Sequence, residues 1–217
     1  MRSLVIGASG GIGAALLAAA AGQGEAVGLS RSANGLDLTH EASVARLLGG
    51  LEGPFDRVIV ATGALHGGQG PGKTLRALEA PAMAAQFALN AIGPALVLKH
   101  ALRLLPRDRP ARFAALSARV GSIGDNALGG WYSYRAAKAA LNQLVHTAAI
   151  EITRSHPQSV VVCLHPGTVA TRFTADYPDR SKLSPEQAAT GLFSVLDGLG
   201  PEDSGGFFNV QGKRVPW

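Results

Sequence analysis

Tyr134 and Lys138 stand four apart in the run Tyr134-Arg135-Ala136-Ala137-Lys138. On a helix that spacing puts both side chains on one face. A free phenol titrates near 10, too high to move protons efficiently at neutral pH, and a neighbouring ammonium favours the phenolate and lowers that value. The pair therefore has the makings of a general acid for a carbonyl oxygen, or a base for an alcohol. Tyr132 fails the same test, because Ala136 lies four residues on.

Such chemistry needs a partner for the proton, and a second motif suggests one. Gly7, Ser9, Gly10, Gly11, Ile12 and Gly13 lie in G-A-S-G-G-I-G, between an apolar strand (Ser3–Ile6) and an Ala/Leu-rich helix (Ile12–Ala21). Glycines there allow a tight turn and a close approach to a pyrophosphate, which the free N–H groups and partial positive charge of a helix start attract. The next strand, Ala26–Ser30, runs into Leu29-Ser30-Arg31-Ser32 without a carboxylate. An NAD site usually carries an acidic residue there, whereas an arginine suits a 2′-phosphate. The expected cofactor is thus NADP(H) rather than NAD(H), with Arg31 on the phosphate.

The elements that must position these residues alternate. Further strands are expected at Leu36–Leu38, Arg57–Ala61, Arg112–Leu116, Ser159–Leu164 and Phe207–Val210. Helices are expected at Glu41–Leu48, Pro81–Leu105, Trp131–Arg154 and Pro185–Leu196. Strand–helix alternation predicts a parallel sheet covered on both faces. The expectation is one doubly wound α/β Rossmann domain over residues 1–217, with about seven strands and the site at their C-terminal ends.

The glycine loop, Ala61-Thr62-Gly63, Asn90, Tyr134/Lys138 and Pro166-Gly167 occur in an order that resembles the short-chain dehydrogenase/reductase superfamily, across essentially the whole chain. S-A-R-V-G-S-I-G-D-N-x-x-G-G-W-Y-S-Y-R-A-A-K-A-A-L-N and the ending G-G-F-F-N-V-Q-G-K-R-V-P-W resemble its C-factor-like, sniffer-type carbonyl reductase branch. The resemblance implies Tyr134 as proton donor. Lys138 would hold the nicotinamide ribose and lower the Tyr134 pKa, and Asn90 would hold a water linking Lys138 to solvent. Asparagine inside a helix, with Gly93-Pro94 just after it, independently suggests a kink there. Asp37 and Leu38 would flank the adenine, Ala61, Thr62 and Gly63 would follow the strand beside the cofactor, and Pro166, Gly167, Val169 and Thr171 would touch its nicotinamide side. A homodimer or homotetramer is implied, built on the two long helices.

One position departs from the pattern. The family's catalytic serine is the second in S-S-x-x-G, and here the segment reads Ser117-Ala118-Arg119-Val120-Gly121. Losing one donor to a developing oxyanion can cost on the order of 10²–10³ in rate. Ser117, Ser122 or a water could substitute, leaving a slower reductase, or the true substrate could need no such donor. Alternatively, the protein is an NADP-binding signalling or regulatory protein with weak reductase activity.

Other classes are disfavoured. The chain of 217 residues carries 20 basic and 15 acidic residues, and the basic ones never form a run of five, which argues against nucleic acid. No 18-residue apolar stretch or signal peptide is visible, so neither membrane binding nor export is expected. The single cysteine, Cys163, excludes an internal disulfide and cysteine-rich metal sites and fits a reducing cytoplasm. The six histidines show no metal spacing, and His165, before Pro166, reads as structural or pocket-lining. Residues 67–74 (G-G-Q-G-P-G-K-T) match a phosphate-loop pattern, but Pro71 removes a needed N–H, so they read as a loop beside the site. Residues 171–184 would form a short polar substrate lid.

Overall fold

A computed structural model describes residues 1–65, 72–176 and 181–217. Six strands form one parallel sheet: β1 (Arg2–Ile6), β2 (Glu25–Leu29), β3 (Arg57–Val60), β4 (Ala111–Leu116), β5 (Ser159–His165) and β6 (Phe207–Asn209). Their spatial order is β2-β1-β3-β4-β5-β6. The helices are α1 (Gly11–Ala21), α2 (Arg31–Asn34), α3 (Glu41–Gly49), α4 (Ala80–Phe87), α5 (Gly93–Ala101), α6 (Tyr132–Ile152) and α7 (Pro185–Gly198). The central strands are apolar along their length, as burial on both faces requires. Leu4, Ile6, Val58, Val60, Phe113, Val161 and Cys163 point into the layer shared with α3, α5 and α6. Val5, Ile59, Ala114, Leu116, Val162 and Leu164 point into the layer shared with α1 and α7. β1 and β3 are neighbours, so the chain order reverses between β2 and β3. Ligands of such sheets bind at the strand C-termini beside that reversal.

The strand expected at Leu36–Leu38 is not one, and among the described residues the sheet has six strands rather than seven. Ser30 caps α2 instead, its Oγ accepting from the Ala33 N–H at 3.2 Å, and Gly35 turns the chain in the left-handed conformation. The Asp37 N–H donates to Ser43 Oγ and its carboxylate accepts from Thr39. Leu36 and Leu38 still reach the core, but as loop residues, and the backbone polar groups pair locally.

The long helix expected over Pro81–Leu105 is broken into α4, a π-turn (Ala88–Ile92), α5 and a 3₁₀ turn (Leu102–Leu104). Together these are long and apolar enough to cross a membrane by length and composition. Here Val97, Leu98, Ala101 and Leu104 are buried on the sheet. The expected kink takes the form of the π-turn, which widens the helix where Asn90 sits. Residues 67–71 of the expected loop and the Tyr177-Pro178 part of the expected lid lie outside the described residues.

Candidate active site

The glycine turn is held by its own backbone. The Gly7 N–H donates to Leu29 O at 2.7 Å, and the Gly10 N–H to Gly7 O at 3.0 Å. Gly7 has φ +85°, and a Cβ on Gly13 would stand 2.1 Å from Gly7 O. The helix can start this close to the strand only because Gly13 has no side chain. Ser9, Gly10 and Gly11 are exposed at that start. Thr171, from the loop after β5, closes over it: a Cβ on Gly11 would meet Thr171 Cγ2 at 2.6 Å. Thr171 is also the N-cap of the turn Arg172–Thr174. Thr62, after β3, stands against Gly7, and its Oγ1 is sealed and without a partner among the described residues. A turn that a single Cβ would fill, exposed helix N–H groups and an orphaned hydroxyl together fit a pyrophosphate and the sugar beside it.

Arg31 opens α2 and is exposed. Asp37 is half-buried. Its carboxyl is held below the usual range, chiefly by the Thr39 hydroxyl and N–H that donate to it. Leu38 lies beneath the start of α5, where a Cβ on Gly93 would be 2.8 Å from Leu38 Cβ. Ile12 and Ala61 pack into the α1/α7 layer, and Val169 is buried. Gly167 takes φ +80° after Pro166. The residues expected around the cofactor thus line one edge of the sheet.

Tyr134, Lys138 and Asn90 are all buried. Lys138 Nζ donates to Leu116 O at 2.8 Å and lies 5.9 Å from the centre of the Tyr134 ring. Gly63 brings Asn90 into the same place: a Cβ there would lie 3.0 Å from Asn90 Oδ1 and 3.7 Å from Lys138 Nζ. The Asn90 amide donates to Ala64 O and Gln86 Oε1 and accepts from the Ala64 N–H. Its side chain therefore fixes the loop after β3 directly.

Burial lowers the Lys138 pKa to about 8 and, unlike the expected lowering, pushes the Tyr134 phenol above its ordinary value. Desolvation drives the Tyr134 rise, and the Lys138 ammonium donates to the Leu116 carbonyl. The Cys163 thiol, also buried on this face, is pushed up to about 12. His165 has a sealed Nδ1 without a partner among the described residues, and burial drops its pKa to about 4, so the ring stays neutral.

Ala118 lies at the end of β4, before the 3₁₀ turn Arg119–Gly121. Of the two nearby serines, Ser117 commits its hydroxyl proton, whereas Ser122 is held only as an acceptor. Ser117 Oγ donates to Asn142 Oδ1 at 2.7 Å, and Ser122 Oγ accepts from the Asp125 N–H at 3.1 Å. Both are buried and hold the turn in place. Tyr134 is thus left with aromatic neighbours: Trp131 edge-on at 6.3 Å between ring centres and Phe173 at 6.0 Å. Sequence reasoning passed over Trp131, Phe173, Gln86 and Asn142. Only the Asn142 spacing, four residues after Lys138, carried a signal.

The family model described as enoyl-(acyl carrier protein) reductase matches residues 13–194. The chain belongs to the short-chain dehydrogenase/reductase family. It is 40% identical over 136 residues to the C-signal of Myxococcus xanthus, covering 62% of this chain and 78% of that one. It is 39% identical over 133 residues to 1-hydroxy-2-glutathionyl-2-methyl-3-butene dehydrogenase of a Rhodococcus strain, covering 61% of this chain. The match spans 57% of the Rhodococcus protein's length. Among solved structures, the carbonyl reductase Sniffer of D. melanogaster superposes with a TM-score of 0.84 at 21% identity, covering 100% of this chain and 99% of that one. A short-chain dehydrogenase/reductase from Burkholderia multivorans with bound NADP superposes with a TM-score of 0.82 at 25% identity, covering 100% and 99%.

Proposed function

We propose that this short-chain dehydrogenase/reductase is an NADP(H)-dependent enzyme that interconverts a carbonyl and a secondary alcohol, with Tyr134 as the acid and base. The observation that carries the reading is the convergence of Tyr134, Lys138, Asn90 and Gly63 at the strand ends, across the sheet from a glycine turn that fits a pyrophosphate. Bound there, the nicotinamide supplies or accepts the hydride. Gly7, Gly11 and Gly13 would shape the turn for its pyrophosphate, Lys138 would hold its ribose hydroxyls, and Thr171 and Gly167 would lie on its nicotinamide side. Tyr134, kept as a phenol by burial, gives its proton to the carbonyl oxygen as negative charge develops. Lys138, titrating near 8, supports the phenolate left behind and helps return the proton. The protein works as a soluble homodimer or homotetramer in the cytoplasm.

Arg31, exposed at the end of β2, supports NADP(H) over NAD(H). Titration of both cofactors tests this: Arg31→Ala weakens NADPH binding far more than NADH binding, and equal losses contradict the assignment.

Ala118 and the likeness to the Myxococcus C-signal favour a second reading, an NADP-binding regulatory protein with weak reductase activity. Initial rates of NADPH oxidation with a carbonyl panel separate the two. Turnover that Tyr134→Phe abolishes and Ala118→Ser raises supports the enzyme. Tight NADPH binding with no turnover supports the regulator.

A further inference from the structure

The segment between β4 and α6 ends in an unusual backbone. Gly129, Gly130 and Trp131 take φ +62°, +67° and +52° in succession. Glycine adopts that region freely. Tryptophan pays for it in conformational strain, of a kind that persists only where the surroundings enforce it. The enforcement is visible. Arg135 Nε donates to Gly129 O at 3.1 Å and to Gly130 O at 2.9 Å, and its Nη1 donates to Val120 O at 3.3 Å. The Arg135 N–H takes the Trp131 carbonyl at 2.9 Å. One planar guanidinium thus ties the left-handed turn to the turn after β4.

The result is the placement of a ring. Trp131 meets Tyr134 edge-on, with 67° between planes, and Phe173 meets it from the loop after β5 at 54°. The nearby charges Arg119 and Asp125 are paired with each other. Ala118 presents a methyl group where a serine would add a second hydroxyl. The phenol of Tyr134 therefore stands beside two rings, the composition of a site for an apolar ligand with one oriented oxygen.

We propose that Trp131 and Phe173 are specificity-determining residues that select a carbonyl conjugated to a flat aromatic ring over a saturated one, and that Arg135 is the positioning residue that holds Trp131 in place. This rests on Tyr134 being the proton donor. A flat ring gains edge and face contacts from both side chains, while a saturated ring of the same size gains only apolar burial. Ring pairs of this type are worth roughly 2- to 12-fold each beyond burial.

The test compares kcat/KM with NADPH for benzaldehyde and cyclohexanecarbaldehyde, taken as a ratio so that intrinsic reactivity cancels between variants. Trp131→Ala and Phe173→Leu are each expected to lower the ratio roughly 2- to 12-fold. Arg135→Met should lower it as Trp131→Ala does, and Arg135→Lys, which lacks the planar fork, should restore it only in part. A ratio unchanged in Trp131→Ala and Phe173→Leu, with Tyr134→Phe inactive on both aldehydes, overturns this inference and leaves the proposed function standing. Activity surviving in Tyr134→Phe overturns the reading beneath both. Should neither aldehyde turn over, calorimetry on the NADP⁺-loaded protein decides, with benzamide and cyclohexanecarboxamide as inert probes. Tighter benzamide binding that Phe173→Leu abolishes supports the bracket, and equal affinities overturn it.

Discussion

Lys138 is the residue whose charge works hardest against the fold. Its ammonium is buried, its titration point falls from 10.5 to about 8, and one hydrogen bond, to Leu116 O, compensates it. Below pH 8 the folded protein carries the full cost of that charge. The cost fades as pH rises from 8 to 10.5, because the unfolded chain then binds the proton that the folded one has released. Lys138→Met should therefore stabilise the cofactor-free protein at pH 7 by about 1–3 kcal/mol, and the gain should shrink towards pH 10. Thermal unfolding across that range checks the sign. A gain that grows with pH would refute the burial argument. At this scale the sequence was legible where spacing encodes geometry: Tyr134, Lys138 and Gly13 are read from intervals along one element. It was silent where the partner comes from elsewhere in the chain. Nothing in the neighbourhood of Ser117 announces that Asn142 takes its hydroxyl proton. The same holds for Trp131, whose left-handed backbone is set by Arg135 rather than by its own type.

Among the elements, β3 and α7 share a device outside the site. Arg57 lies at the start of β3 with its side chain fully buried. It donates to Asp197 Oδ1 at 2.6 Å and to Gln23 Oε1, and it stacks 4.1 Å over the Phe193 ring. Asp197 is 39% exposed, so the pair is partly screened. Removing only the acid strands a buried guanidinium, which costs several kcal/mol in a sealed pair. Asp197→Ala should cost about 2–4 kcal/mol, visible as a lower denaturant midpoint, and adding Arg57→Met should recover part of it. A double variant no more stable than Asp197→Ala would show that the stranded charge is not the cause. Element order and type were readable because β-branched runs and helical periods alternate cleanly. The error at Leu36–Leu38 arose from two buried leucines spaced like a strand. Ser30, Gly35 and Asp37 satisfy that backbone locally, and apolar periodicity does not report where N–H groups go.

For the molecule as a whole, the exposed apolar side chains Ile92, Leu144 and Ile150 fall on the two long helical segments expected to pair copies. Light scattering should give a dimer or tetramer, and Leu144→Glu with Ile150→Glu should shift it to monomer. A wild-type monomer at micromolar concentration would contradict the assembly. The global arrangement that puts a glycine turn, a phenol and an ammonium along one sheet edge makes one claim above the others: hydride passes to a carbonyl carbon while Tyr134 protonates its oxygen. Reduction of benzaldehyde with NADPH deuterated on the transferring face of C4 measures this directly. The account predicts one deuterium on the product's carbinol carbon, formed by the wild-type protein and at least about 10²-fold more slowly by Tyr134→Phe. Product without deuterium at that carbon, or an undiminished rate in Tyr134→Phe, would contradict it.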